Sequence, residues 1–153
     1  MEKKIPDKLY KRILQVIPIA CVDLLVINPK NEILLLKRKN QPSKGQWWFP
    51  GGRVHFMETR KHAATRKLKE ECGSAGNILE EIGTYEVILH KKSSHPSHGI
   101  TTVYKMQLKN SKVVLDNQST SFSWKPCSQW LKEVKSSFVK MILQKYNYDH
   151  FSK

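Results

Sequence analysis

Apolar and polar positions follow two different periods along this chain, and together they predict strands grouped around a long helix. "IACVDLLVI", from Ile19 to Ile27, is almost continuously β-branched or aliphatic, the pattern of a buried strand. The turn "NPKNE" separates it from "ILLLKRK", which reads as a second strand. Upstream, Pro6 and Asp7 can open a short helix with Leu9, Tyr10, Ile13 and Leu14 on its apolar side. The loop "NQPSKGQ" enters "WWFPGG". Met57, Ala64, Leu68 and Cys72 then share one arc at about 100° per residue, predicting a helix from Met57 to a stop at Gly73. "IGTYEVILH" and "ITTVYKMQL" predict two more strands across the polar loop "KKSSHPSHG", and "SFSWKP" a short one. "CSQWLKEV" and "SSFVKMILQKY" read as closing helices. Strand groups on both sides of a long helix imply an α/β sandwich.

A length of 153 residues fits one domain, 1–153, with one core. No apolar run reaches the ~20 residues of a membrane helix, and no apolar signal core follows the basic start "MEKK". Cys21, Cys72 and Cys127 lack metal-type spacing, which favours structural thiols in a reducing, cytoplasmic setting. The charge changes the picture more: 27 basic residues face 13 acidic ones, a formal +14. Because 22 of the 27 are Lys, dispersed as singles and pairs, a solvated basic surface comes first. Nucleic acid or another polyanion stays open as a partner, as does a homodimer. Arg38, Arg53, Arg60 and Arg66, by contrast, bracket one stretch, "FPGGRVHFMETRKHAATRKLKEECG".

Taken alone, Arg66 and Glu70 in that stretch are i,i+4 neighbours, and a surface ion pair would explain them. The wider spacing offers more. Gly52 is followed after five residues by Glu58 and after seven more by Arg66, and Leu68, Glu70, Glu71 and Gly73 complete the series. Adjacent carboxylates at a helix end suit a hard cation such as Mg²⁺. The Gly-Gly corner lets backbone approach metal and phosphates with no Cβ in the way. Glu58 can hold Arg66 and the glutamates in place from behind.

The series resembles the signature of the Nudix hydrolases, Gly-x5-Glu-x7-Arg-Glu-U-x-Glu-Glu-x-Gly-U with U bulky aliphatic, and matches six of its seven fixed charged or glycine positions. "GQWWFPGG" is similar to the family's lead-in. The resemblance implies an α/β/α sandwich with a mixed sheet and a Mg²⁺ site (Mn²⁺ as the alternative) that acts on a diphosphate. Two positions depart from it. The first Glu of the Arg-Glu pair is Lys67, which cannot ligate a metal while charged, and the last bulky position is Ser74.

"PIACVDLLVINPKNEILLLKRKNQPSKGQWWFPGGRV" resembles a narrower branch, the GDP-mannose mannosyl hydrolases, whose signature glutamates are themselves reduced. That branch releases GDP and mannose by attack of water on the sugar carbon. The resemblance implies that Asp23 and Arg38 lie near sugar and phosphate, and that Arg53 stabilises the departing GDP. It implies metal ligation by the Gly51 carbonyl, Glu71 and Gln118, with Glu70 a further possible ligand. His90 and Tyr104 match polar site residues, and Ile5 and Tyr10 stand where the branch contacts guanine. The branch carries its general base directly after the glutamine ligand, and here that residue is Ser119, far too weak a base near neutral pH. A histidine of the His90, His95, His98 group would then have to serve, or Glu70 would support attack at phosphorus, or activity would be low. The expectation is a Mg²⁺-dependent hydrolase of a nucleoside diphosphate sugar, GDP-mannose first. The alternatives are a pyrophosphohydrolase and a weakly catalytic polyanion-binding module.

Overall fold

The computed structural model describes residues 5–41, 43–92 and 96–151. Its elements follow in the order α1 (Asp7–Val16), β1 (Ile19–Ile27), β2 (Ile33–Arg38), β3 (Trp47–Trp48), β4 (Gly51–Arg53), α2 (Arg60–Cys72), β5 (Gly76–Leu89), β6 (Ser97–Leu108), β7 (Ser119–Lys125), α3 (Cys127–Glu133) and α4 (Ser137–Phe151).

The apolar run of β1 makes it the central strand. One edge pairs in parallel with β6 from Ile19↔Gly99 to Ile27↔Gln107. The other edge is divided: Val26 and Ile27 pair with β2, while Cys21 to Asp23 pair with the short β4, both antiparallel. β2 carries β3 on one side and β7 on the other, and β5 closes the far edge against β6. The side-chain alternation of β1 sorts the core into two layers. Val22, Leu24 and Val26 pack with Ala63, Ala64, Leu68 and Cys72 of α2. Leu25 and Ile27 pack with Trp130, Phe138, Ile142 and Leu143 of α3 and α4. A mixed sheet between helices on both faces is the expected α/β/α sandwich. Among the described residues, no helix is long and apolar enough to cross a membrane.

Of the boundaries that differ from the sequence pattern, three stand out. α2 begins at Arg60, with the Thr59 hydroxyl accepting the His62 N–H at 3.2 Å as its N-cap. Met57 therefore does not join the apolar arc; it sits at φ 63° and is 88% exposed. β5 begins at Gly76 instead of Ile82, because register shifts between Ile78 and Glu80 and between Glu81 and Gly83 break its period of two. β6 starts at Ser97, so His98 is a strand residue opposite Ile88 and not part of a loop; His95 lies outside the described residues.

Candidate active site

The corner after β3 holds the site because backbone there runs unusually close to β1. Gly51 pairs with Asp23, and a Cβ at Gly51 would run into the Val22 carbonyl, so only glycine lets β4 lie in this position. The approach brings the Gly51 N–H to 3.1 Å from Glu71 Oε2, at the end of α2.

Arg66 ties that end of the helix to the loop that precedes it. Its Nε and Nη2 donate to the two oxygens of Glu58, its Nη1 lies 3.2 Å from both oxygens of Glu70, and its Nη2 also donates to the Arg53 carbonyl at 3.1 Å. The local i,i+4 pair with Glu70 is thus one part of a brace joining the loop before α2 to β4. Hydrogen bonds from Arg66 hold the Glu58 carboxyl down at about 2.

Lys67, the departure from the signature, is drawn inward. It is 6% exposed, and its Nζ lies 2.7 Å from Glu71 Oε1 and 3.1 Å from Glu70 Oε2. Burial disfavours the ammonium, but Glu71 and Glu70 outweigh it and hold its pKa above the ordinary lysine value. Burial also pushes the Glu71 carboxyl up, against the pull of Lys67 and the Gly51 N–H. The other departure has a structural reason: the Ser74 hydroxyl donates to the Lys112 carbonyl, so this turn is closed by a hydrogen bond where the signature packs an aliphatic side chain.

Two cavities adjoin this corner. The first, about 200 Å³, is lined by Asp23, Arg38, Ser43, Trp48 and Thr101 with apolar neighbours such as Leu89. Asp23 is buried there, with Trp48 Nε1 donating to one oxygen at 3.1 Å and the Thr101 hydroxyl to the other at 2.7 Å. Burial pushes its carboxyl up to about 6, opposed by Thr101, Trp48 and the Arg38 charge. Cys21, on the same wall, is pushed up to about 12 by burial and then by Asp23, which keeps it a thiol. The second cavity, about 210 Å³, is lined by Arg38, Gly51, Glu71, Gln118 and Ser119. Arg38 borders both, its guanidinium 5.9 Å from the centre of the Trp48 ring.

The remaining predicted residues are distributed unevenly. Arg53 lies over the Tyr10 ring at 5.0 Å, which brings α1 to the site, and Ile5 is a half-buried residue just before that helix. Glu70 is 44% exposed and turned to Arg66 and Lys67. His90 bonds to Ser43 at 3.2 Å and so touches the first cavity only through a lining residue. Tyr104 is 1% exposed in the core beneath α2, across the sheet from Asp23. It stands three residues after Thr101 on β6, and an odd step along a strand reverses the face. Sequence reasoning missed Trp48 and Thr101 as partners of Asp23, Lys67 as a site residue, and Asp116. The Asp116 carboxylate accepts from the Gln118 side chain at 3.0 Å and helps raise Glu71. Lone Thr and Trp residues in strands carry no local mark of such a role.

Among the described residues, no three His, Cys, Asp or Glu side chains converge on one point as a metal cluster. The Gly51, Glu71 and Gln118 positions that the resemblance assigns to a metal do line one cavity, and carbonyl, carboxylate and amide oxygens fit a single hard divalent cation. The opposite side of Glu71 is filled by Lys67.

Comparison with known proteins bears on the fold and the family. The model of the NUDIX domain matches residues 18–141. The low-salt glycan biosynthesis protein Agl8 of Haloferax volcanii is 31% identical over 118 residues, 75% of each chain. The ADP-ribose pyrophosphatase of Methanocaldococcus jannaschii is 42% identical over 85 residues, 54% of this chain and 50% of that one. The solved MutT protein from Methanosarcina mazei Go1 shares the fold, with a TM-score of 0.76 at 23% identity over 88% of this chain and 96% of that one. From its sheet order, its signature helix and a domain match across most of its length, this chain belongs to the Nudix hydrolase family.

Proposed function

We propose that this chain hydrolyses the diphosphate bridge of a nucleoside diphosphate sugar. The observation that carries this reading is the position of Arg38 between the two cavities, with the buried Asp23 carboxylate on one side and Glu71, Gly51 and Gln118 on the other. The Asp23 carboxylate can accept sugar hydroxyls while the guanidinium binds phosphate oxygens in a planar fork. Arg53, directly after the Gly-Gly corner, is suited to hold the departing phosphate. The family generally uses divalent metals; Mg²⁺ or Mn²⁺, held by Gly51, Glu71 and Gln118, would neutralise the diphosphate and polarise its phosphorus. Two similar proteins support this substrate class, one named for cleaving ADP-ribose and one for glycan biosynthesis.

Ser119 supplies no strong base beside Gln118, and His90 reaches the first cavity only through Ser43. Both favour attack of water at phosphorus over attack at the sugar carbon, giving a nucleoside monophosphate and a sugar phosphate. GDP-mannose and ADP-ribose are the substrates to compare, with Mg²⁺ in ¹⁸O-labelled water. Label on phosphate supports this reading. Label in free mannose, with GDP as the other product, would assign the chain to the mannosyl hydrolase chemistry. No turnover on either substrate, with salt-sensitive RNA binding, would favour the polyanion-binding module.

A further inference from the structure

In the signature that this helix otherwise follows, position 67 is acidic, and here a cation stands in its place. Helical spacing puts Lys67, Glu70 and Glu71 on one stripe of α2, because three and four residues are one turn apart. The ammonium lies between the two carboxylates, 3.1 Å from one and 2.7 Å from the other. Its stem passes Gly52 so closely that a Cβ there would come within 2.8 Å of Lys67 Cε. The side chain is therefore enclosed by the Gly-Gly corner as well as by the acids. Arg66 holds Glu70 from the other side, so the pair already faces two fixed positive groups. A buried carboxylate such as Glu71 needs a compensating charge, and Lys67 provides it within the chain.

We propose that the Lys67 ammonium is a built-in cation that takes the place of a metal ion between Glu70 and Glu71, limiting this site to one divalent ion. A dication entering that gap would meet an ammonium already bonded to both of its acidic ligands. The cavity beyond Glu71, lined by Gly51 and Gln118, is left for the single ion that accompanies a diphosphate. This inference rests on the reading of the site as one that handles a diphosphate, but it concerns how many metal ions the protein itself holds.

The test counts metal without substrate. MnCl₂ is titrated into the full chain with no nucleotide present, and free Mn²⁺ is followed by its electron paramagnetic resonance signal. Wild type is compared with Lys67→Glu and Lys67→Met, each checked for native circular dichroism and a cooperative melt. Wild type is expected to hold at most one Mn²⁺ per chain. Each variant is expected to hold one more, and the added ion in Lys67→Glu should bind at least about tenfold more tightly than in Lys67→Met. If one variant does not fold, the other still decides the count. Two ions in wild type, or an unchanged count in a folded variant, would overturn the proposal. Because no substrate is used, a negative result leaves the substrate assignment standing, and failure of the ¹⁸O assay leaves the metal count standing.

Discussion

Arg66 grips Glu58 with two parallel hydrogen bonds, Nε to Oε1 and Nη2 to Oε2, both 2.7 Å long, across the boundary where α2 begins. Glu58 lies before the N-cap, so the pair fastens the loop from the Gly-Gly corner onto the helix that carries Glu70 and Glu71. Bidentate pairing of this kind fixes direction as well as distance.

This pair makes part of the stability acid-sensitive. Glu58 is held at about 2 against a usual 4.5, so its contribution is fully present above about pH 4.5 and is lost as pH falls through about 2. Glu58→Gln should cost about 1.5–3 kcal/mol at neutral pH. The melting-temperature gap between wild type and variant should stay level down to about pH 4.5 and then close. A gap that persisted unchanged at pH 2 would show that the charge of Glu58 is not what matters.

Glu71→Gln removes the charge that meets both Lys67 and the proposed metal. Activity at limiting Mg²⁺ is expected to fall by about 100-fold, with a lower but still cooperative melt because Lys67 loses its nearest partner. Turnover at limiting and saturating Mg²⁺, set beside the melt, separates lost metal affinity from lost fold. Undiminished activity at limiting Mg²⁺ would remove Glu71 from the site.

Arg53→Lys keeps a positive charge but loses the planar fork that can bind two phosphate oxygens and lie over Tyr10. We expect kcat to fall by at least about tenfold, with a smaller effect for Tyr10→Leu, which leaves the guanidinium in place. Equal kcat in wild type and Arg53→Lys would reduce the residue to a surface cation.

Thr101→Val deletes the hydroxyl that donates to Asp23 and leaves that buried carboxylate to the Trp48 N–H and the nearby Arg38 charge. The expected cost is about 1–3 kcal/mol near neutral pH, read as a shifted denaturant midpoint with an unchanged slope. No shift would mean that Asp23 draws little from Thr101.

The sequence by itself was enough wherever a local rule operates. Continuous aliphatic runs mark β1 and β2, because a strand covered on both faces has no polar position to spare. The regular spacing from Arg66 to Gly73 marks the acidic helix end, because residues one helical turn apart are neighbours, whereas the Glu58–Arg66 brace forms across the start of the helix, where that rule does not reach. Tertiary structure alone decided what depends on partners far along the chain. Asp23 meets Thr101 across 78 residues, Asp116 enters the field of Glu71, and the phase of β6 turns Tyr104 toward α2, away from Asp23. Lys67 shows the division within one residue. Its letter marks a break in the signature, but only the fold sets the Gly52 backbone against its stem and Glu71 against its ammonium, which encloses this long, charged side chain.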